Sequence, residues 1–230
     1  MRLQKNIQKG VAKMRKITKL INLKSLFKDG MTIMVGGFLN CGTPENIIDF
    51  LVNLNIKNLT VICNDTAFPD KGIGKLIVNG QVSKVIASHI GTNPETGKKM
   101  NSGELEVELS PQGTLIERIR AAGSGLGGVL TPTGVDTIVE KGKQKVNVNG
   151  KKYLLELPLS ADISLIKGSL VDEFGNTFYR AAAKNFNPYM AMAGNTVIVE
   201  ADKLVKADEL NKENIMTPGI LVDYIVKEVV

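Results

Sequence analysis

The sequence predicts an α/β fold: an open, mainly parallel sheet with helices on both faces and one antiparallel hairpin. Three observations carry this expectation. The short runs Thr32–Val35 and Leu59–Cys63 are almost continuously apolar, as strands buried on both faces are. Segments with helical spacing of apolar residues fall between such runs, the alternation that builds a parallel sheet. Finally, Asn149-Gly150 lies between Lys145–Val148 and residues 151–155 and supplies the two-residue turn of a hairpin.

Taken in order, the first apolar run is bounded by Asp29-Gly30 and Gly36-Gly37. The chain then passes through Phe38-Leu39-Asn40-Cys41-Gly42 into Thr43-Pro44-Glu45. Thr43 is expected to cap the next helix, with Pro44 at its first position and Glu45 in its first turn. Ile47, Ile48, Leu51 and Leu54 then share one side of that helix. The loop 36–42 is therefore held between two packed elements. Its glycines let backbone N–H groups approach a ligand, and a helix N-terminus favours negative charge. A phosphate, a carboxylate or a developing oxyanion would fit equally.

The second strand ends at Asn64-Asp65, polar residues where the carboxyl end of a strand opens into a cleft. Gly74–Val78 reads as helix, residues 84–88 as a strand ending in His89, and Gly91-Thr92-Asn93-Pro94 as loop. Glu104, Glu106 and Glu108 alternate with Leu105, Val107 and Leu109, the period of a half-buried strand. Ser110-Pro111-Gln112-Gly113 opens a helix bearing Leu115, Ile116 and Ile119. Strands are expected at 163–166 and 196–199. A terminal helix is expected to open at Thr217-Pro218-Gly219 and to carry Leu221, Tyr224 and Ile225.

At 230 residues and 43% hydrophobic, the chain suits one domain. Its net charge of +6 is unevenly spread: residues 1–28 hold nine basic and no acidic residues, and the remainder holds 20 basic against 23 acidic. A slightly acidic body with 5% aromatics and no Trp argues against nucleic acid as a partner. Residues 1–13 read as a disordered or over-called extension, since Met14 makes an equally good start, and residues 14–230 as the domain. No stretch of 18 apolar residues and no signal segment is present, so a cytoplasmic protein without membrane association is expected. Two cysteines with no metal-ligand spacing predict neither a disulfide framework nor a metal site.

Candidate chemistry is sparse. Gly123-Ser124-Gly125-Leu126-Gly127-Gly128 matches the dinucleotide fingerprint as a string but follows a predicted helix instead of a strand, so a mobile or ligand-facing loop is the better reading. His89, the only histidine, reads as a packed or hydrogen-bonded residue, and Cys41, with no histidine nearby to activate it, as a loop-filling one. The three glutamates read as a solvated or subunit-facing strand surface, because burial would require basic partners. Gln112 has two readings: a plain helix-start residue, or a neutral NH₂ donor aimed at the oxyanion of an acyl-transfer intermediate.

Asp29-Gly30, Ile33-Met34-Val35, Gly36-Gly37-Phe38, Gly42 and Pro44 together resemble the first signature of the family I (3-oxoacid) CoA-transferases. Asn64-Asp65-Thr66, residues 103–115, Thr131-Pro132-Thr133-Gly134 and Asn185-Phe186-Asn187-Pro188 resemble the same family in the same order, and the likeness is to the A (alpha) subunit. The resemblance implies the CoA-transferase fold and transfer of CoA between short-chain acyl-CoA or acetoacetyl-CoA and free acetate, butyrate or acetoacetate. Coenzyme A would be a substrate, with no permanently bound cofactor. The reaction would be ping-pong, through a glutamyl-CoA thioester on a glutamate in an S-E-N-G-type motif of a B subunit. This chain lacks that motif, so an A₂B₂-type assembly is implied. Gly36, Gly37, Phe38, Leu39, Asn40, Cys41 and Gly42 would form the CoA- and substrate-proximal loop. Gln112 would be the oxyanion-hole donor and Asn64 a polar contact in the cleft. The alternative is a non-catalytic sensor for phosphorylated ligands built on the related isomerase-like fold.

Overall fold

A computed structural model describes residues 16–227 of the protein, so the expectation for residues 1–13 lies outside the described residues. The main sheet is built from β1 (Thr32–Val35), β2 (Leu59–Cys63), β3 (Val82–Ala87) and β4 (Glu106–Leu109), with three strands from later in the chain. A second, three-stranded antiparallel sheet contains β5 (Val129–Thr131), β6 (Lys145–Val148) and β7 (Lys151–Glu156). The long strand β8 (Ala161–Asp172) returns to the main sheet, followed by β9 (Thr177–Phe178), β10 (Gly194–Val205) and β11 (Tyr224–Lys227). The order across the main sheet is β11-β10-β8-β1-β2-β3-β4, all parallel, with β9 antiparallel on β8. Strand order reverses at the β1/β8 pair. In open α/β sheets such a switch point opens a crevice at the carboxyl ends of the strands.

Alternate residues along each central strand enter opposite cores, as the period of two requires. Ile33, Val35, Val61 and Val85 pack with helix α1 (Glu45–Leu54), helix α2 (Gly74–Val78) and the 3₁₀ segment Leu20–Leu26. Met34, Ile62 and Ile86 pack with helix α4 (Gln112–Ser124) and helix α5 (Asn187–Ala193) on the other face. Helix α3 (Pro94–Ser102) completes the set. The predicted hairpin forms as read, with Asn149 and Gly150 both at positive φ, and gains β5 as a third strand.

Several expectations change. Thr43 does not cap α1: Pro44 occupies the cap position with no side-chain bond to offer, and Thr43 is buried. The predicted terminal helix is a 3₁₀ turn, Gly219–Leu221, followed by strand β11. Consecutive Ile225 and Val226 are both buried, one in each core, which a strand between two helical layers allows. The spacing of Leu221, Tyr224 and Ile225 matched a helix only by coincidence. Helix α3 replaces part of the expected loop; it buries only Thr96 and so lacks an apolar stripe. Its signals are an Asn93 cap on Glu95 N–H, Pro94 in the first turn and left-handed Gly103 behind it. The Gly123–Gly128 string begins inside helix α4 and so lacks the strand-before-loop context of a nucleotide fingerprint. A Cβ on Gly123 would lie 2.5 Å from Met192 Cβ, so this glycine lets α4 and α5 touch, and left-handed Gly125 ends α4.

The alternating glutamates find basic partners. Lys84 pairs with Glu106 at 2.8 Å and Glu108 at 3.6 Å, and the buried Arg118 of α4 holds Glu108 at 2.7 Å. Arg118 also donates to Leu157 O and lies 3.8 Å from the buried Glu156 of β7, which Lys143 pairs at 2.6 Å. This network ties the sheet edge, α4 and the small sheet together. Partial burial alone would push the Glu108 carboxyl up, but Arg118 and Lys84 hold it below its usual value.

Because its folded carboxyl is the stronger acid, Glu108 stabilises the fold above the ordinary carboxylate range and loses that contribution as pH falls through it, below about pH 4.3. Urea unfolding of Glu108→Gln should therefore show a shallower loss of stability than wild type over that acid range. In the core, Ile48→Ala removes a fully buried side chain and should cost about 2–5 kcal/mol in the same measurement.

Candidate active site

Four strands deliver the expected residues to one edge. Gly36 follows β1, Asn64 and Asp65 follow β2, Ser88 and His89 follow β3, and Ser110 to Gln112 follow β4. Gly36 N–H donates to Leu165 O of β8 across the switch point at 2.9 Å. A Cβ on Gly36 would lie 1.8 Å from Asn187 Oδ1, and one on Gly37 2.1 Å from Thr43 Oγ1. Close approach of protein groups is thus enough to require both glycines.

Beyond them the loop folds on itself. Phe38 and Cys41 exchange both backbone hydrogen bonds, at 3.0 and 2.9 Å, around Leu39-Asn40. Leu39 is held at a φ of +54°, its N–H donating to Asp65 Oδ2 at 2.9 Å. Asp65 Oδ1 accepts from Ala67 N–H. From below, Asn185 Oδ1 accepts from Gly37 N–H and its Nδ2 donates to Cys41 O, while Asn187 Nδ2 donates to Gly42 O at 3.0 Å. Among the described residues only Asn40 and Gly42 of residues 36–42 donate no backbone hydrogen bond. The expectation of a row of N–H groups open to a ligand is therefore corrected: the loop is a closed turn whose exposed elements are the Phe38 and Cys41 side chains. Cys41 lies at this tip and does not fill the loop interior.

The N-terminus of α1 is also occupied. Glu200, in β10 and fully buried, accepts from Ile47 N–H at 3.0 Å and from Asn46 Nδ2 at 3.3 Å. Glu45 turns away from its own helix to accept from Gly72 N–H and pair with Lys75 at 2.6 Å. A protein carboxylate thus takes the place that sequence reading offered to a bound anion.

Gln112 is the first residue of α4 and is exposed. Its Nε2 donates to Asn64 Oδ1 at 3.0 Å, and Ser88 Oγ lies 2.7 Å from Asn64 O and 3.0 Å from the same Oδ1, its one proton shared between them. Asn64 is 2% exposed, so it meets the cleft through Gln112. Neighbouring residues after β2 therefore do two jobs: Asn64 fixes Gln112, and Asp65 fixes the loop tip. Beside Gln112 a cleft of about 540 Å³ is lined by Pro111, Gly113, Thr114, Arg120, Leu130 and Thr131, within the range of small-molecule sites. His89 is exposed at the same edge, and its backbone carbonyl accepts from Thr66 N–H.

Sequence reasoning from the residues alone placed Asp65 at the cleft without its role in holding Leu39, and missed Ser88, Asn185, Asn187 and Glu200 as determinants of this edge. Glu200 carried a signal: a single carboxylate in the buried run Val197-Ile198-Val199-Glu200-Ala201 requires a partner.

The chain matches the family described as Coenzyme A transferase over residues 17–228. It is 70% identical over 213 residues to the acetoacetyl-CoA:acetate/butyrate CoA transferase alpha subunit of Clostridium acetobutylicum, covering 93% of this chain and 98% of that protein. It is 56% identical over 212 residues to the acetate CoA-transferase subunit alpha of Escherichia coli, covering 91% and 96%. The fold is shared with the glutaconate coenzyme A-transferase of Acidaminococcus fermentans, with a TM-score of 0.80 at 18% identity over 92% of this chain and 75% of that one. No helix among the described residues is long and apolar enough to cross a membrane. On sequence and fold alike, the chain belongs to the Coenzyme A transferase family.

Proposed function

We propose that the chain is the alpha subunit of a cytoplasmic CoA-transferase, one that moves CoA between acetoacetyl-CoA or another short-chain acyl-CoA and free acetate or butyrate. A beta subunit completes the active site in an A₂B₂-type assembly, and coenzyme A is a substrate, not a resident cofactor. The names of the 70% and 56% identical relatives support the substrates and the subunit role. The observation that carries the chemistry is Gln112, a neutral amide donor held by buried Asn64 at the carboxyl edge of the sheet.

In the proposed reaction a beta-subunit glutamate attacks the thioester carbonyl, and the carbonyl electrons move onto oxygen. Collapse of that intermediate breaks the C–S bond and gives an acyl–glutamyl anhydride with CoA thiolate. The thiolate then attacks the glutamyl carbonyl, releasing the first acid and leaving a glutamyl-CoA thioester; the second acid runs the sequence backwards. Gln112 has two N–H bonds on Nε2. One goes to Asn64, and the other serves the oxyanion. An amide suits this task better than lysine or arginine, because a cation would pair with the attacking glutamate and hold it in its ground state. Asn64 and Ser88 fix the amide beforehand, so little reorganisation accompanies charge development. The turn at residues 36–42 and the cleft beside Gln112 form this subunit's wall of the CoA and acyl site.

Acyl transfer from acetoacetyl-CoA to acetate, measured for each purified subunit and for their mixture, should appear only in the mixture. Full turnover by this chain alone would refute the shared site. Gln112→Ala should lower kcat of the mixed enzyme by roughly 10²-fold, the cost of one oxyanion donor, with unfolding unchanged; an undiminished kcat would remove Gln112 from the mechanism.

A further inference from the structure

Helix α1 begins where the loop of residues 36–42 ends, so whatever fixes its first turn also fixes that loop. Its cap residue is Pro44, which has no side-chain acceptor. A helix start normally receives a side-chain oxygen on the N–H of its second or third residue. Here Ile47 is the third residue, and the oxygen that reaches it is Glu200 Oε2, from a strand 153 positions away in sequence. Lys167 stands beside Glu200 in the β8–β10 register and approaches its other oxygen at 3.3 Å while pairing with Asp202 at 2.9 Å. The backbone N–H of the same Lys167 donates to Asn187 Oδ1, and Asn187 holds Gly42. The two ends of the segment Gly42 to Ile47 are thereby referenced to one residue of the sheet.

We infer that Glu200 is a positioning residue: by capping α1 from across the sheet it sets the place of the 36–42 turn at the active-site edge. The role depends on an oxygen at the right reach, with the charge secondary. Gln keeps the reach and an acceptor; Asp keeps the charge but is one methylene shorter. This inference rests on the transferase reading above.

The test uses the reconstituted two-subunit enzyme carrying Glu200→Gln or Glu200→Asp. E200Q is expected to hold kcat/KM within about threefold of wild type, and E200D to lose roughly 10²-fold, the scale of an ångström-sized misplacement. Amide hydrogen exchange over residues 37–47 should quicken in E200D and not in E200Q. Should E200D fail to fold, P44S/E200D supplies a local hydroxyl at the cap, and recovery of folding and turnover supports the inference whereas no recovery overturns it. It is also overturned if E200D matches wild type in turnover and exchange, or if E200Q loses as much as or more than E200D, since an ion pair to Lys167 alone would make E200Q the worse variant. Inactivity of the wild-type mixture would count against the transferase reading; the exchange measurement needs no activity and still decides the role of Glu200.

Discussion

Asn187 is fully buried at the start of α5, with its side-chain oxygen in the space that a Cβ on Gly36 would need. Its amide donates to Gly42 O and Ala183 O, and its oxygen accepts from Lys167 N–H. One side chain therefore joins β8, the loop after β1 and the segment before α5 at the point where strand order reverses. The remaining geometry of the edge follows. Gly36 must be glycine, the loop must close above Asn185 and Asn187, and helix α1 must start where Gly42 leaves it. A buried amide with both ends bonded costs little to bury, whereas loss of its partners would strand polar groups at about 1–3 kcal/mol each.

Electrostatics at this edge are settled within the protein before any substrate arrives. Glu200 satisfies the start of α1, Glu45 serves the chain before α2, and Asp65 bridges Leu39 and Ala67. Along the neighbouring cleft Arg120 pairs with Glu117, and at the edge itself Gln112 presents a neutral donor. Such an arrangement suits a reaction in which negative charge appears transiently on a thioester oxygen and the nucleophile is itself an anion. It suits permanent capture of a phosphate less, since that draws on open N–H groups and an unoccupied helix start.

Away from the edge, the Arg118 network fastens α4 to β4 and to the small antiparallel sheet. Gln112 stands at the start of that helix, so the same ion pairs that secure the sheet edge also fix the direction from which the donor enters. The alternation of Glu106 and Glu108 with Val107 and Leu109 reflects the two sides of a strand, and both carboxylates are ion-paired within the protein.

Much of the fold was legible because its signals are local. The apolar runs of β1 and β2, the helical spacing of Ile47, Ile48 and Leu51, and the Asn149-Gly150 turn each report a conformation decided by near neighbours. Helix α3 was missed because caps and not an apolar stripe define it, and β11 was misread because three residues at helical spacing also fit a strand buried on both sides. That Gln112, Asn64 and the loop 36–42 stand together at one edge of the sheet was legible from their place at element ends. The internal logic of that edge was not. Which N–H groups remain open, which carboxylate caps α1 and what Asn64 holds depend on hydrogen bonds between residues up to about 150 positions apart. Sequence by itself determined the layers, the strand ends and the chemical types available; only the tertiary structure decided which of those groups already satisfy one another and which are left for a substrate, because backbone pairing is settled by proximity in space.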